Sequence, residues 1–232
     1  MNKSKETIAA MFDEIAFKYD QLNHTLSLGI DKLWRKKVVK LVQKQNPSEI
    51  LDIAAGTGDL SIALAKGIKT ASVIGADISE NMLDIARQKC LKLALSDRIM
   101  FENGNALDLK YSDKSFDAVT VAFGVRNFEN LELGLSEMLR VTRDGGKVVI
   151  IELSMPESGV VRWFYKLYFM KILPTIGRLT SKSQFAYTYL PMSVAGFVCG
   201  NDFLSLMDKV GYKQCAMQKL SLGIATIYYG YK

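Results

Sequence analysis

Histidine occurs once in this 232-residue chain, at His24, and cysteine only at Cys90, Cys199 and Cys215. No two of these residues sit at metal-ligand spacing, so no metal site is expected. Three widely spaced cysteines read as reduced core thiols of a cytosolic protein rather than as a disulfide framework. Proline is scarce too, and three of the four, Pro156, Pro174 and Pro191, fall within residues 155–195. No apolar run approaches the ~20 residues of a membrane span. The nearest candidate, residues 160–177, is broken by Arg162, Lys166 and Lys171. The first six residues lack the apolar core of a signal peptide, and no Gly/Ser linker, repeat or low-complexity tract divides the chain. These absences point to one domain spanning residues 1–232, with a helical cap at 1–45 and a helical aromatic insertion at 155–195.

What is present is ordinary globular composition with 49% hydrophobic residues, and a formal net charge of +6. Such basicity fits an anionic partner or solvated lysine-rich helix faces. Acids are interleaved with the bases throughout, so the contiguous basic face that nucleic-acid binding needs is not expected.

The most informative stretch is Leu51–Leu60. An apolar run from Ile50 to Ala55 ends in Gly56-Thr57-Gly58, and a helical pattern follows at once. Glycines in a strand–turn–helix opening let the backbone approach a ligand. A dinucleotide fingerprint needs a third glycine where Ser61 stands, and no Gly-Lys-Ser/Thr of a phosphate loop follows. Asp59 at the helix start would repel a pyrophosphate. The turn therefore suits a cofactor without phosphate.

Apolar periodicity predicts a helix at 5–19 and a second around Trp34–Val42, ended by Asn46-Pro47. Strands are predicted at 49–54, 72–77, 98–102, 116–123 and 146–152, with helices between them at 59–66, 79–94 and 129–141. Ser79 is placed as an N-cap. After the insertion come a helix ended by Gly211 and two strands, 212–218 and 224–231, with a hairpin-like gap. Alternating strands and helices imply an α/β fold with a mostly parallel sheet, here closed by an antiparallel C-terminal hairpin. That is the architecture of Rossmann-like methyltransferases.

Ligands of such sheets bind beyond the C-terminal strand ends, near the point where strand order reverses. Asp52, before the Gly-x-Gly turn, either orients the loop or meets a cationic cofactor. Asp77 ends the second strand, where one carboxylate can accept both hydroxyls of a ribose. Asn105 and Ala106 follow the third strand, where a short amide beside small residues suits an adenine edge, although Asn103-Gly104-Asn105 also reads as a plain turn. Phe123-Gly124-Val125-Arg126-Asn127 follows the fourth and brings a charge and an amide to the cleft. S-adenosylmethionine fits all four positions.

The chain resembles the S-adenosylmethionine-dependent C-methyltransferases of menaquinone and ubiquinone biosynthesis. The likeness rests on Met11–Ala16 with Tyr19-Asp20 and Asn23, Trp34-Arg35, Leu51–Leu60, Asp77–Leu83, Phe116-Asp117 and Phe123–Asn127. It continues through Arg140-Val141, Gly145-Gly146 and the terminal Gly230-Tyr231-Lys232. It implies a class I methyltransferase with cofactor contacts at Thr57, Asp77, Asn105 and Ala106, beside the loop residues Asp52, Gly56 and Gly58. Ala122 stands where some members carry a serine. The implied reaction methylates an unsubstituted ring carbon of a reduced quinone. Arg126 is then the candidate for stabilising the phenolate, Asn127 for orienting the ring, and Tyr19 for a supporting role from the N-terminal helix. A compact chain without extensions favours demethylmenaquinol as acceptor over the benzoquinol precursor of ubiquinone. A lipophilic quinol implies a tail groove and a peripheral membrane contact at residues 160–177, on the inner face of the membrane; an ordinary lid over the active site is the alternative for the same residues. Methylation of another small molecule or of RNA, and a non-catalytic cofactor-binding scaffold, are the competing expectations.

Overall fold

The computed structural model describes residues 4–167 and 184–232. Seven strands form one sheet: β1 (Glu49–Ile53), β2 (Ser72–Asp77), β3 (Ile99–Asn103), β4 (Phe116–Ala122), β5 (Thr142–Leu153), β6 (Lys213–Leu220) and β7 (Ala225–Tyr231). Their order is β3-β2-β1-β4-β5-β7-β6. The first five run parallel, and β7 pairs antiparallel with both β5 and β6. Among the described residues the helices are α1 (Lys5–Leu26), α2 (Ile30–Gln43), α3 (Asp59–Gly67), α4 (Glu80–Lys92), α5 (Leu131–Val141), α6 (Gly159–Leu167), α7 (Gln184–Ala195) and α8 (Asn201–Val210).

The period-2 alternation of the strands decides which helix covers which face. Ile50, Val73, Ile99 and Val149 point to one side and bury against Val38 of α2, Leu64 of α3 and Leu83 of α4. Leu51, Val119, Val148 and Ile150 point to the other, against Leu135 and Met138 of α5 and Phe203 and Met207 of α8. Both faces are covered, so the central strands read as unbroken apolar runs. Strand order reverses between β1 and β4, where Leu51 lies level with Ile74 on one side and Val119 on the other. Ala54 and Phe123, just past these two strands, hold φ of 53° and 60°. Left-handed backbone is unfavourable for non-glycine residues and concentrates at functional sites.

Ser79 caps α4 by accepting from the Met82 N–H at 3.2 Å, as its type and position predict. The first helix departs from expectation by running on to Leu26. Its last turns carry Asp20, Asn23 and His24, which meet polar partners rather than apolar core, so apolar periodicity fades while the helix continues. The aromatic insertion contributes α6 and α7. Tyr168, Phe169, Lys171 and Pro174 lie outside the described residues, as does most of the predicted tail groove. No helix among the described residues is long and apolar enough to cross a membrane.

Candidate active site

Two cavities meet at the strand-order reversal, and Tyr19 and Phe123 line both. The first lies over the ends of β1, β2 and β4 and is bounded by Gly56, Asp77, Met82, Asn105, Ala106 and Asn127. Ile8 and Phe12 of α1 roof it. Among the described residues the acids on its wall are Asp77 and Glu129, and no lysine or arginine lines it. Such a wall repels phosphate and tolerates a cationic ligand.

Asp77 anchors this site. Its carboxylate accepts from the Gly56 N–H at 2.7 Å and the Ser79 N–H at 2.9 Å, which fixes both oxygens at the cavity edge. Burial raises the Asp77 pKa, with these N–H donors opposing the shift. Gly56 has φ 56°, and a Cβ placed there would meet nothing within 4 Å, so space is open above the turn. Gly58 lies on the same turn with φ 81° but faces inward, where a Cβ would come within 2.7 Å of Phe101. Gly58 therefore serves packing and lines neither cavity. Asn105 lines the first cavity while its side-chain oxygen holds the Leu107 N–H at 3.0 Å, an Asx turn. Ala106 is buried beside it.

Two expected contacts, and the acid expected to repel phosphate, fall elsewhere. Asp52 lies beneath the turn, lines neither cavity, and accepts from Ser61 Oγ at 2.6 Å and Thr120 Oγ1 at 2.7 Å. It orients the loop. Thr57 is buried and donates its hydroxyl to Asp20 of α1 at 2.5 Å, so it latches the cap rather than facing the first cavity. Asp59, expected to repel phosphate, points away. It pairs with Lys89 at 2.5 Å and Arg35 at 3.5 Å, and these cations outweigh burial to hold its carboxyl below the ordinary value. The acids that edge the first cavity are Asp77 and Glu129 instead.

The same charges tie α1 down. Asp20 reaches Lys89 at 2.8 Å, and His24 sits 2.8 Å from Asp31, which also pairs with Arg35. His24, Asp31 and Asp59 could geometrically hold an ion, but Arg35 and Lys89 already balance those carboxylates. Asp13 adds a contact to Ser79 Oγ at 2.5 Å. In this way the polar side of α1 closes the roof of the first cavity.

Burial has a measurable consequence at Asp52, whose pKa is raised from the ordinary 3.8 to about 6. The native state keeps this proton where the unfolded chain has lost it, so stability falls as pH rises from about 4 through about 6. The shift corresponds to roughly 3 kcal/mol above that range. Asp52→Asn should remove most of this loss, read as a flatter unfolding free energy between acidic and neutral pH. Parallel curves for the two proteins would refute it.

The second cavity is larger, about 370 Å³, and mostly apolar, with Leu28, Trp34, Leu153, Val161, Tyr165 and Ile224 on its walls. Arg126 brings the guanidinium to it. Arg126 pairs with Glu152 at 2.6 Å, and its backbone N–H donates to the other oxygen of that carboxylate at 3.2 Å. Burial disfavours the Arg126 charge, but Glu152 outweighs it, so the group stays protonated. Asn127 divides from Arg126 here: it lines the first cavity, and its Oδ1 accepts from Tyr189 Oη at 2.9 Å. Tyr19, in the shared wall, has its pKa raised by burial, against the pull of Arg126. Its phenol stays protonated near neutrality and can donate a hydrogen bond.

An acid-edged cavity beside a larger, mostly apolar one is what the structure offers for chemistry, and comparison with known proteins gives the family. The model of the ubiE/COQ5 methyltransferase family matches residues 1–232. The chain belongs to this family. A demethylmenaquinone methyltransferase of Bacteroides fragilis is 43% identical over 226 residues, covering 97% of this chain and 92% of that protein. One of Porphyromonas gingivalis is 43% identical over 228 residues, covering 98% and 93%. A ubiquinone/menaquinone biosynthesis C-methyltransferase of Geotalea daltonii is 41% identical over 233 residues, covering 100% and 99%. Among solved structures, the cyclase SpnF superposes with TM-score 0.70 at 15% identity, covering 99% of this chain and 96% of that one. A SAM dependent methyltransferase from Aquifex aeolicus gives 0.60 at 16%, covering 83% and 88%. At such identities the structures speak for the fold alone.

Several residues of this methyltransferase's site escaped the sequence. Glu152 is one, although a carboxylate ending the apolar run Val148–Ile151 was a readable signal. Phe123 stood in a visible motif, but its role as a partition lining both cavities did not show. Tyr165 and Tyr189 were visible as aromatics, but nothing local showed that both would be buried near Arg126 and Asn127.

Proposed function

We propose that this methyltransferase uses S-adenosylmethionine to methylate a ring carbon of a reduced, isoprenoid-tailed quinone, with demethylmenaquinol as the acceptor. One observation carries this: an acid-edged cavity, lined by no basic residue among those described, shares the wall Tyr19–Phe123 with an apolar cavity that holds Arg126. The names of the relatives from Bacteroides fragilis and Porphyromonas gingivalis support the naphthoquinol over the benzoquinol.

The first cavity fits the cofactor. Asp77 would accept the ribose hydroxyls, with Asn105, Ala106 and Met82 around the base and Gly56 leaving room above the turn. When bound, S-adenosylmethionine supplies a methyl group made electrophilic by its sulfonium. The chain binds and orients the acceptor and stabilises its ionised form, while the hydroxyl proton and, after transfer, the proton displaced from the ring carbon leave to solvent. A quinol ring carbon is a weak nucleophile until the neighbouring hydroxyl ionises, and the fixed Arg126 guanidinium favours that phenolate in a water-poor cavity. Tyr19 donates a further hydrogen bond from the partition. Apolar walls hold the ring against the shared wall, so alignment supplies much of the remaining rate.

The test is methyl transfer from labelled S-adenosylmethionine to a short-tailed demethylmenaquinol under reducing conditions. Turnover with this acceptor, faster than with the benzoquinol precursor, is expected. Cofactor binding without turnover on any reduced quinone would sink the assignment.

A further inference from the structure

We propose that the α1–α2 turn, the outer face of α2 and the β6–β7 turn dock this methyltransferase on an anionic lipid bilayer, at the mouth of the second cavity. Two leucines mark the surface. Leu28 at the α1–α2 turn is 87% exposed with φ 51°, and Leu222 at the β6–β7 turn is 78% exposed with φ 59°. A left-handed turn suits glycine or asparagine, so leucine there has neither a backbone reason nor a packing reason. Both tips belong to one surface, because Trp34 Nε1 of α2 donates to Ser221 Oγ at 2.9 Å. Both also border the second cavity: Leu28 and Ile30 line it while exposed, and Ser221 and Ile224 line it on either side of Leu222.

The charges beside these tips select the occupant. One turn beyond Ile30, Leu33 is 57% exposed, and the outer face continues with Lys32, Lys36, Lys37 and Lys40. The only acid of α2, Asp31, is buried and paired with Arg35. Isolated apolar tips followed by unrelieved lysines match a headgroup layer, in which leucines enter the acyl boundary and lysines reach phosphates. A protein partner would instead meet a broad apolar centre with a mixed polar rim. Only the identity of the molecule that enters from the bilayer rests on the proposed acceptor; docking stands on the surface itself. None of these residues belongs to the neighbouring α6, on which Val160 and Trp163 are exposed.

Co-sedimentation of the full chain with phosphatidylglycerol–phosphatidylcholine vesicles, against phosphatidylcholine alone, tests it. The expected result is binding to the anionic vesicles that falls with salt. Leu33→Glu/Leu222→Glu and Lys36→Gln/Lys37→Gln/Lys40→Gln should each lower vesicle affinity by about tenfold or more. Their turnover of a soluble, short-tailed quinol should stay within about twofold, since none of these five side chains touches either cavity. Vesicle binding unchanged in both variants, or equal on neutral lipid, overturns the proposal. So does binding lost on Val160→Glu/Trp163→Glu but not on the α2 variants. Intact vesicle binding with no turnover on any quinol would overturn the acceptor assignment and leave docking in place.

Discussion

Arg126→Ala is expected to slow methyl transfer by about 10²–10³-fold, the cost of removing one preorganised stabiliser of developing negative charge. Cofactor affinity should barely change, because Arg126 lines the second cavity and not the first. The same substitution should destabilise the fold by about 3–5 kcal/mol, since it strands the fully buried Glu152 carboxylate without its partner. The two effects separate in the double variant Arg126→Met/Glu152→Gln. Removing both charges should recover most of the stability while turnover stays low. Single-turnover rates, cofactor titration and urea unfolding on the three proteins read each part. A large loss of cofactor affinity in Arg126→Ala, or activity returning with stability in the double variant, would show that the guanidinium only supports structure.

Asp77→Ala is expected to weaken S-adenosylmethionine binding by about 10²-fold or more, because two hydrogen bonds to a charged acceptor contribute roughly 1.5–3 kcal/mol each. Part of that loss belongs to the turn, whose Gly56 N–H would lose its acceptor. Asp77→Asn keeps one acceptor oxygen and separates the two, with an intermediate loss expected. A pH signature follows from burial. The raised Asp77 pKa means that the carboxylate protonates, and ceases to accept as strongly, at a higher pH than an exposed aspartate would. Affinity should therefore fall on acidification in the native protein and stay flat in Asp77→Asn. Calorimetric titration across the acidic range checks this. Equal pH profiles would mean that Asp77 does not contact the ligand through its charge.

The sheet was legible because its strands are buried on both faces and its turns carry their own chemistry. Apolar runs ending in Gly56-Thr57-Gly58, in Asp77 and in Phe123-Gly124 located three of the strand ends that build the site, and Ser79 marked its helix start. Side-chain direction was not legible. Asp52, Thr57 and Asp77 stand within one short stretch of the fold, yet only Asp77 lines the first cavity. Asp52 faces Ser61 and Thr120 beneath the sheet end, and Thr57 faces Asp20 of the cap. Each partner comes from another element, up to 68 residues away in the chain, so local pattern carried no trace of it.

Sequence by itself determined that this chain builds an α/β sheet with a glycine turn suited to a cofactor without phosphate, and its motifs named the family. Those properties reside in backbone conformation and in residue type, which are local. Tertiary structure decided that Arg126 and Asn127, adjacent in the chain, serve different cavities with Phe123 between them. It also set Glu152 behind Arg126 and turned Asp59 from a guard of the cofactor turn into an anchor for α1. Those outcomes depend on where side chains from distant elements converge, and burial then fixes which charges survive there.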